Sequence, residues 1–114
     1  MTRGTIPPAR WVSWFQLLTR RATRHQIAGQ SMEPTLSAGD VVVVDRKATP
    51  KVGDVVVCRH PFKTNVHVCK RVYGMTAESA LDLRGDNAKE STDSRSYGAV
   101  PQVHLLGVVI ARLS

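Results

Sequence analysis

The feature that most constrains this chain is a series of short, β-branched apolar runs cut apart by turn signals. "VVVVD" (41–45), "DVVVC" (54–58), "VHVCKRV" (66–72), "ALDLR" (80–84) and "LLGVVIARL" (105–113) are separated by "SAGD", "TPKVGD", "HPFKTN" and "RGDNAKESTDSRSYG". Runs of this length, rich in valine and bounded by Gly, Pro, Asn and Asp, read as strands. "QIAG", just ahead of them, reads as a further short strand. No helical period alternates with the runs, so a βαβ architecture is not expected. The reading is a mainly-β domain, compact and coiled or small-barrel in topology.

One helical period does occur, before the strands. Trp11, Trp14, Phe15 and Leu18 fall at i, i+3, i+4 and i+7, with Pro7 and Pro8 ahead and Arg20, Arg21 and Arg24 behind. The chain therefore divides into an N-terminal amphipathic helix with a basic segment (1–24) and a β core (25–114). The helix either docks on the core or lies on a membrane surface. Its eight-residue apolar stretch is too short to span a bilayer and is followed by no cleavage signature. The expected location is cytoplasmic, with peripheral contact at a membrane.

The 114 residues carry 16 Lys+Arg against 9 Asp+Glu, a formal charge of +7. The basic residues are scattered except for "RRATRH" at 20–25, and no nucleic-acid motif accompanies them, so nucleic acid is not the expected partner. Two cysteines, Cys58 and Cys69, cannot build a disulfide framework. The chain is expected to be a monomer without a cofactor.

The chemistry begins at "QSMEPTLSAGDVVVVD" (30–45). Ser31 heads a proline-stiffened turn feeding a strand, where it either caps the turn or presents a hydroxyl. Strand alternation puts Val66, Val68, Lys70 and Val72 on one face and His67, Cys69 and Arg71 on the other. Lys70 thus shares an apolar face, and either snorkels outward or is desolvated. Desolvation would favour the neutral amine, which can take a proton from a serine. Of the histidines, His25 stands too near Ser31 along the chain to serve as its base, and nothing orients His104.

In order along the chain, "GQSMEPTLSAGD" (29–40), "GDVVV" (53–57), "VCKRVYG" (68–74) and "GDNAKESTDSRSYG" (85–98) resemble the signal peptidase I family of serine endopeptidases. The resemblance implies that Ser31 is the nucleophile and Lys70 the general base. It implies that Ser91 orients the lysine, that Asp93 and Arg95 form a supporting ion pair, and that Asp86 is the acid of the "GDN" turn. It puts Ile27, Gly29, Met32, Leu36 and Cys69 around the substrate pocket. The Ser31 backbone N–H would meet the oxyanion, while Gly29 occupies a position where some relatives add a serine hydroxyl. Only ten residues separate Gly74 from Gly85, too few for an extra β-subdomain. This compactness, with "RHPF" (59–62) and "STDSRSYGAVP" (91–101), resembles the nickel-type superoxide dismutase maturation proteases. The implied function is removal of an N-terminal leader from a precursor protein, with the nickel superoxide dismutase precursor as partner.

Two other readings stand beside this one. One is a membrane-surface processing enzyme for another precursor. The other is a small metal-binding module: if Cys58 pairs with Cys69 across the hairpin, then Cys58, His60, His67 and Cys69 share one face.

Overall fold

The computed structural model describes residues 6–8, 21–63 and 65–113. Six strands follow one another: β1 (Ala22–Gln26), β2 (Val41–Asp45), β3 (Val55–Arg59), β4 (His67–Met75), β5 (Leu81–Arg84) and β6 (Leu105–Arg112). A single turn of helix, α1 (Ser94–Tyr97), and two short 3-10 turns complete the described elements. The expectation of a mainly-β domain holds. The helix expected over 11–18 lies outside the described residues.

The strands form one antiparallel sheet in the order β1-β2-β6-β3-β4-β5. Register shifts interrupt the ladders at Val43/Val44, Val57/Cys58 and Val72/Gly74. Such bulges add local bend and twist. The resulting curl brings His25 of β1 and His67 of β4 to 6.2 Å between ring centroids, although three strands separate them in the sheet order.

Alternation then gives the sheet an apolar surface on each side. The concave side buries Val42, Val44, Val55, Val57, Cys69 and Val109, closed by Ile27, Met32 and Leu36 from the segment between β1 and β2. The other side buries Val56, Cys58, Val72, Leu81, Leu83, Val100 and Val108, with Tyr97 and Leu105 packed against them. Gly107 belongs where it is because the β2 backbone passes close by. A Cβ there would collide with the Val44 side chain and come within 2.7 Å of the Asp45 carbonyl oxygen.

Two expectations need correction. The first strand is not "QIAG" but "ATRHQ", so the sheet begins at Ala22, inside the segment assigned to the N-terminal part. This is an edge strand with little buried surface, and its polar residues hide the period-two signal. The hairpin register also differs, because Val57 pairs with Cys69 and Cys58 with Val68. A shift of one residue sends neighbouring side chains to opposite faces. Cys58 and Cys69 therefore enter different sides of the core, and the four-residue metal constellation is not assembled. His60 instead accepts backbone N–H bonds from Phe62 and Lys63 through Nδ1.

Candidate active site

The site is built around β4 and one loop. Strand β4 pairs with β3 along His67–Arg71, whereas β5 joins it only from Arg71 onward. Among the described residues, the other edge of His67–Lys70 carries no strand. Ahead of it lies an open cleft of about 440 Å³, whose lining includes Gly29, Gln30, Ser31, Cys69, Lys70 and Glu90. Ser31 and Lys70 thus open onto one space, although 39 positions separate them in the sequence.

The loop from Gly85 to Arg95 holds both residues. On the serine side, the Asn87 backbone N–H donates to the Ser31 carbonyl at 2.8 Å and its side-chain amide to the Gln30 carbonyl at 3.1 Å. Thr35, on the same turn, donates its hydroxyl to Asp86 at 2.5 Å. Asp86 also receives Arg71 of β4 in a bidentate pair, Nε and Nη2 each at 2.8 Å, while Arg71 Nη1 reaches the Gly53 carbonyl at 2.7 Å. The serine turn and β4 are therefore tied at one carboxylate, and Arg71 extends the link to the β2–β3 connection.

On the lysine side, Lys70 Nζ donates to Ser91 Oγ at 3.0 Å, and Ser91 Oγ donates to Asp93 at 2.7 Å. Asp93 is buried and also accepts the Gly85 N–H at 2.9 Å and the Arg95 guanidinium at 2.9 and 2.6 Å. Burial works against its charge. The bonds from Arg95, Ser91 and Gly85 outweigh that cost and hold the carboxyl well below the usual carboxylate range. For Lys70 the balance is opposite. Burial is the main influence and pushes its ammonium down from the ordinary lysine value; Asp93, one residue removed, pulls back only in part. Among the described residues Lys70 forms no ion pair.

Gly85 is a site residue that sequence reasoning missed. A Cβ on it would overlap the Ser91 hydroxyl and approach the Ser31 carbonyl oxygen to 2.5 Å. Only a glycine lets the serine turn and the Ser91 segment close on each other. Arg71, Thr35 and Asn87 were missed as well. The "KR" and "GDN" spellings were visible, but their long-range partners were not.

The expected pocket residues divide. Gly29 and Cys69 line the cleft, whereas Ile27, Met32 and Leu36 lie in the concave core rather than on its wall. A turn that places Ser31 at the surface turns the following Met32 and Leu36 inward, where each is 1% exposed. His25, set aside as a base, lines the cleft, and so does His67. Both thiols are buried and free, and burial raises each to about 12, so neither is a ready nucleophile at neutral pH.

Sequence comparison gives this geometry its context. The family model for signal peptidase, peptidase S26, matches residues 10–81. The mitochondrial inner membrane protease subunit 1 of Xenopus tropicalis is 37% identical over 109 positions, covering 75% of this chain and 65% of the relative. The protein of the same name from Schizosaccharomyces pombe is also 37% identical, covering 75% and 69%. Signal peptidase I of Pseudomonas aeruginosa is 32% identical over 103 positions, covering 70% of this chain and 36% of the relative. The chain thus spans just under two thirds of the length of its frog relative. The family match ends before the loop that carries Asp86, Ser91, Asp93 and Arg95, so their placement rests on the geometry above. The chain belongs to the signal peptidase family, peptidase S26.

Proposed function

We propose that this chain is a serine endopeptidase in which Ser31 is the nucleophile and Lys70 the general base, acting to remove an N-terminal leader from a precursor protein. The observation that carries the reading is the hydrogen-bond direction at Ser91. Its proton is committed to Asp93, so it can only accept from Lys70. The lone pair of a neutral Lys70 amine is therefore not spent on Ser91 and stays available to the cleft, where Ser31 stands.

In that state Lys70 takes the Ser31 proton as Oγ attacks the scissile carbonyl. The Ser31 N–H stabilises the oxyanion; Gly29 offers no second hydroxyl. Lys70 then returns the proton to the leaving amine. An acyl-enzyme on Ser31 remains, and a water deprotonated by Lys70 hydrolyses it. Ser91, Asp93 and Arg95 act through Lys70 as positioning residues, and Asp86 positions the Ser31 turn.

The substrate would lie extended in the cleft. Among the described residues, the edge of β4 at 67–70 and the outer edge of β1 carry no further strand, so each could pair with an added one. This suits a flexible leader. Relatives named as inner membrane proteases and signal peptidases favour a client at or near a membrane, consistent with a basic chain. Among the described residues no helix is long and apolar enough to cross a bilayer. The nickel superoxide dismutase precursor remains a candidate client on the "RHPF" and "STDSRSYGAVP" spellings alone, since the relatives above carry other names.

The test is cleavage of a leader-bearing precursor, followed by intact mass. Ser31→Ala, Lys70→Ala and Lys70→Arg should each lose roughly 10⁴-fold or more in rate while keeping a cooperative unfolding transition, since guanidinium cannot act as a base. Retention of most activity in Lys70→Ala would overturn the mechanism.

A further inference from the structure

His25 of β1 and His67 of β4 lie far apart in the sheet order, yet their ring centroids stand 6.2 Å apart. The register turns both to the concave side. His25 pairs with Val42, and His67 shares a strand face with Cys69; Val42 and Cys69 belong to the concave core. Both rings line the cleft that holds Ser31 and Lys70, and both line a smaller cavity of about 240 Å³ beside it. Among the described residues neither ring makes a hydrogen bond, whereas Nδ1 of His60 is committed to two backbone N–H groups. Burial, and after it the neighbouring His67, lowers the proton affinity of His25, which favours the neutral ring that a metal ion binds.

We propose that His25 and His67 together bind a borderline divalent cation (zinc, copper or nickel) that bridges β1 to β4 and blocks the cleft. The spacing fits the chemistry. A tetrahedral ion holds each imidazole nitrogen at about 2.0–2.1 Å, which puts two ring centroids roughly 5–5.5 Å apart, so the rings need to approach by less than about 1 Å. Neighbouring cations leave the space open. Arg24 pairs with Val43 and so leaves β1 on the opposite face; Arg59, across from His67, is exposed. Two imidazoles with water in the remaining positions make a reversible site, unlike a structural cage of four protein ligands. Imidazole suits zinc, copper and nickel, while magnesium and calcium prefer oxygen. The position gives the effect. His67 lies three residues from Lys70, about 10 Å at the ordinary rise of a strand, so the ion does not touch the reacting pair. It occupies the space that an extended substrate needs and competes with it. That inhibition rests on the peptide-cleavage reading above, but the binding does not.

The experiment uses the full chain, with zinc chloride and nickel chloride as probes and magnesium chloride as the control. Calorimetry on Ser31→Ala should show one zinc per chain, with nickel binding at the same place and magnesium not binding. His25→Gln and His67→Gln should each weaken zinc binding roughly tenfold or more, while His60→Gln and His104→Gln bind it as before. In NMR spectra of the same protein, nickel should broaden the ring signals of His25 and His67 and spare those of His60 and His104. No zinc binding, or binding that survives both His25→Gln and His67→Gln with their cooperative unfolding intact, would overturn the proposal. Peptide cleavage by the active chain then tests the consequence. Zinc should raise KM several-fold with little change in kcat, and each variant should be less sensitive relative to its own zinc-free rate. Zinc that lowers kcat equally in the parent chain and both variants acts at Ser31 and Lys70 and would refute the inhibitory bridge. If no peptide is cut at all, the protease reading fails, and calorimetry still decides whether the two histidines hold a metal.

Discussion

Lys70 and Arg71 are neighbours in β4, both buried, and they leave the strand on opposite faces. Arg71 meets Asp86 directly, through two parallel bonds, and fills its remaining valence on the Gly53 carbonyl. Among the described residues, Lys70 bonds the oxygen of Ser91, with Asp93 one step beyond. Both carboxylates, 15 and 23 positions further along the chain, favour the charged form of their partner, but only Asp86 outweighs the cost of burial. A buried cation locked to a carboxylate stays a cation, and Arg71 is accordingly pushed up, chiefly by its bond to Asp86. A buried amine offered a hydroxyl keeps the cost of burial and lacks most of the compensation, so its proton is loosened. One site holds the turn; the other, on the mechanism proposed above, exchanges a proton.

The comparison can be broken by substitution. The largest effect is expected for Arg71→Ala, which leaves Asp86 charged and partly buried without its bidentate partner. Breaking such a pair from one side costs about 3–5 kcal/mol, readable as a fall in the urea midpoint. A change below about 1 kcal/mol would show that Asp86 does not need the arginine. Next comes Gly85→Ala, which forces a methyl between Ser31 and Ser91. An overpacked contact of this kind costs about 1–3 kcal/mol. Here kcat should drop further than stability alone requires, because the clash moves the serine turn away from the Ser91 segment. A variant that lost stability but kept full kcat would separate Gly85 from the chemistry. The smallest effect is expected for Lys70→Met. Ser91 keeps its bond to Asp93, and a buried amine is exchanged for an apolar chain of similar size, so stability should be unchanged or slightly higher. A loss as large as that of Arg71→Ala would erase the distinction between the two residues.

Much of this was legible in the sequence. β2 was read at its observed bounds because four consecutive valines leave no other period, and the faces of β4 followed from alternation alone. The placement of Ser91 and Asp93 beside Lys70 came from the resemblance. What stayed hidden depended on pairing across distance. β1 is a polar edge strand whose partner, not its composition, makes it a strand. The hairpin register turned on a loop whose length does not fix it, and with it fell the metal reading. The role of Gly85 appears only once Ser31 and Ser91, 60 positions apart, are seen to flank it. Met32 and Leu36 spell a pocket by motif but are held by the core.

The central claim is that Lys70 works as a neutral base, and titration of its side-chain amine by NMR in the intact chain tests it most directly. Its folded pKa lies below the unfolded value, about 10.4 for an ordinary lysine. The unfolded state therefore binds more protons between the two values, and stability should rise with pH across that window. The account predicts that Lys70 loses its proton at lower pH than an exposed lysine, and that kcat/KM rises along the same curve. It predicts further that Ser91→Ala, which removes the hydroxyl between Lys70 and Asp93, moves the curve while Arg71→Lys leaves it in place. A Lys70 that titrates with exposed lysines, or a rate that climbs without following its titration, would contradict the account.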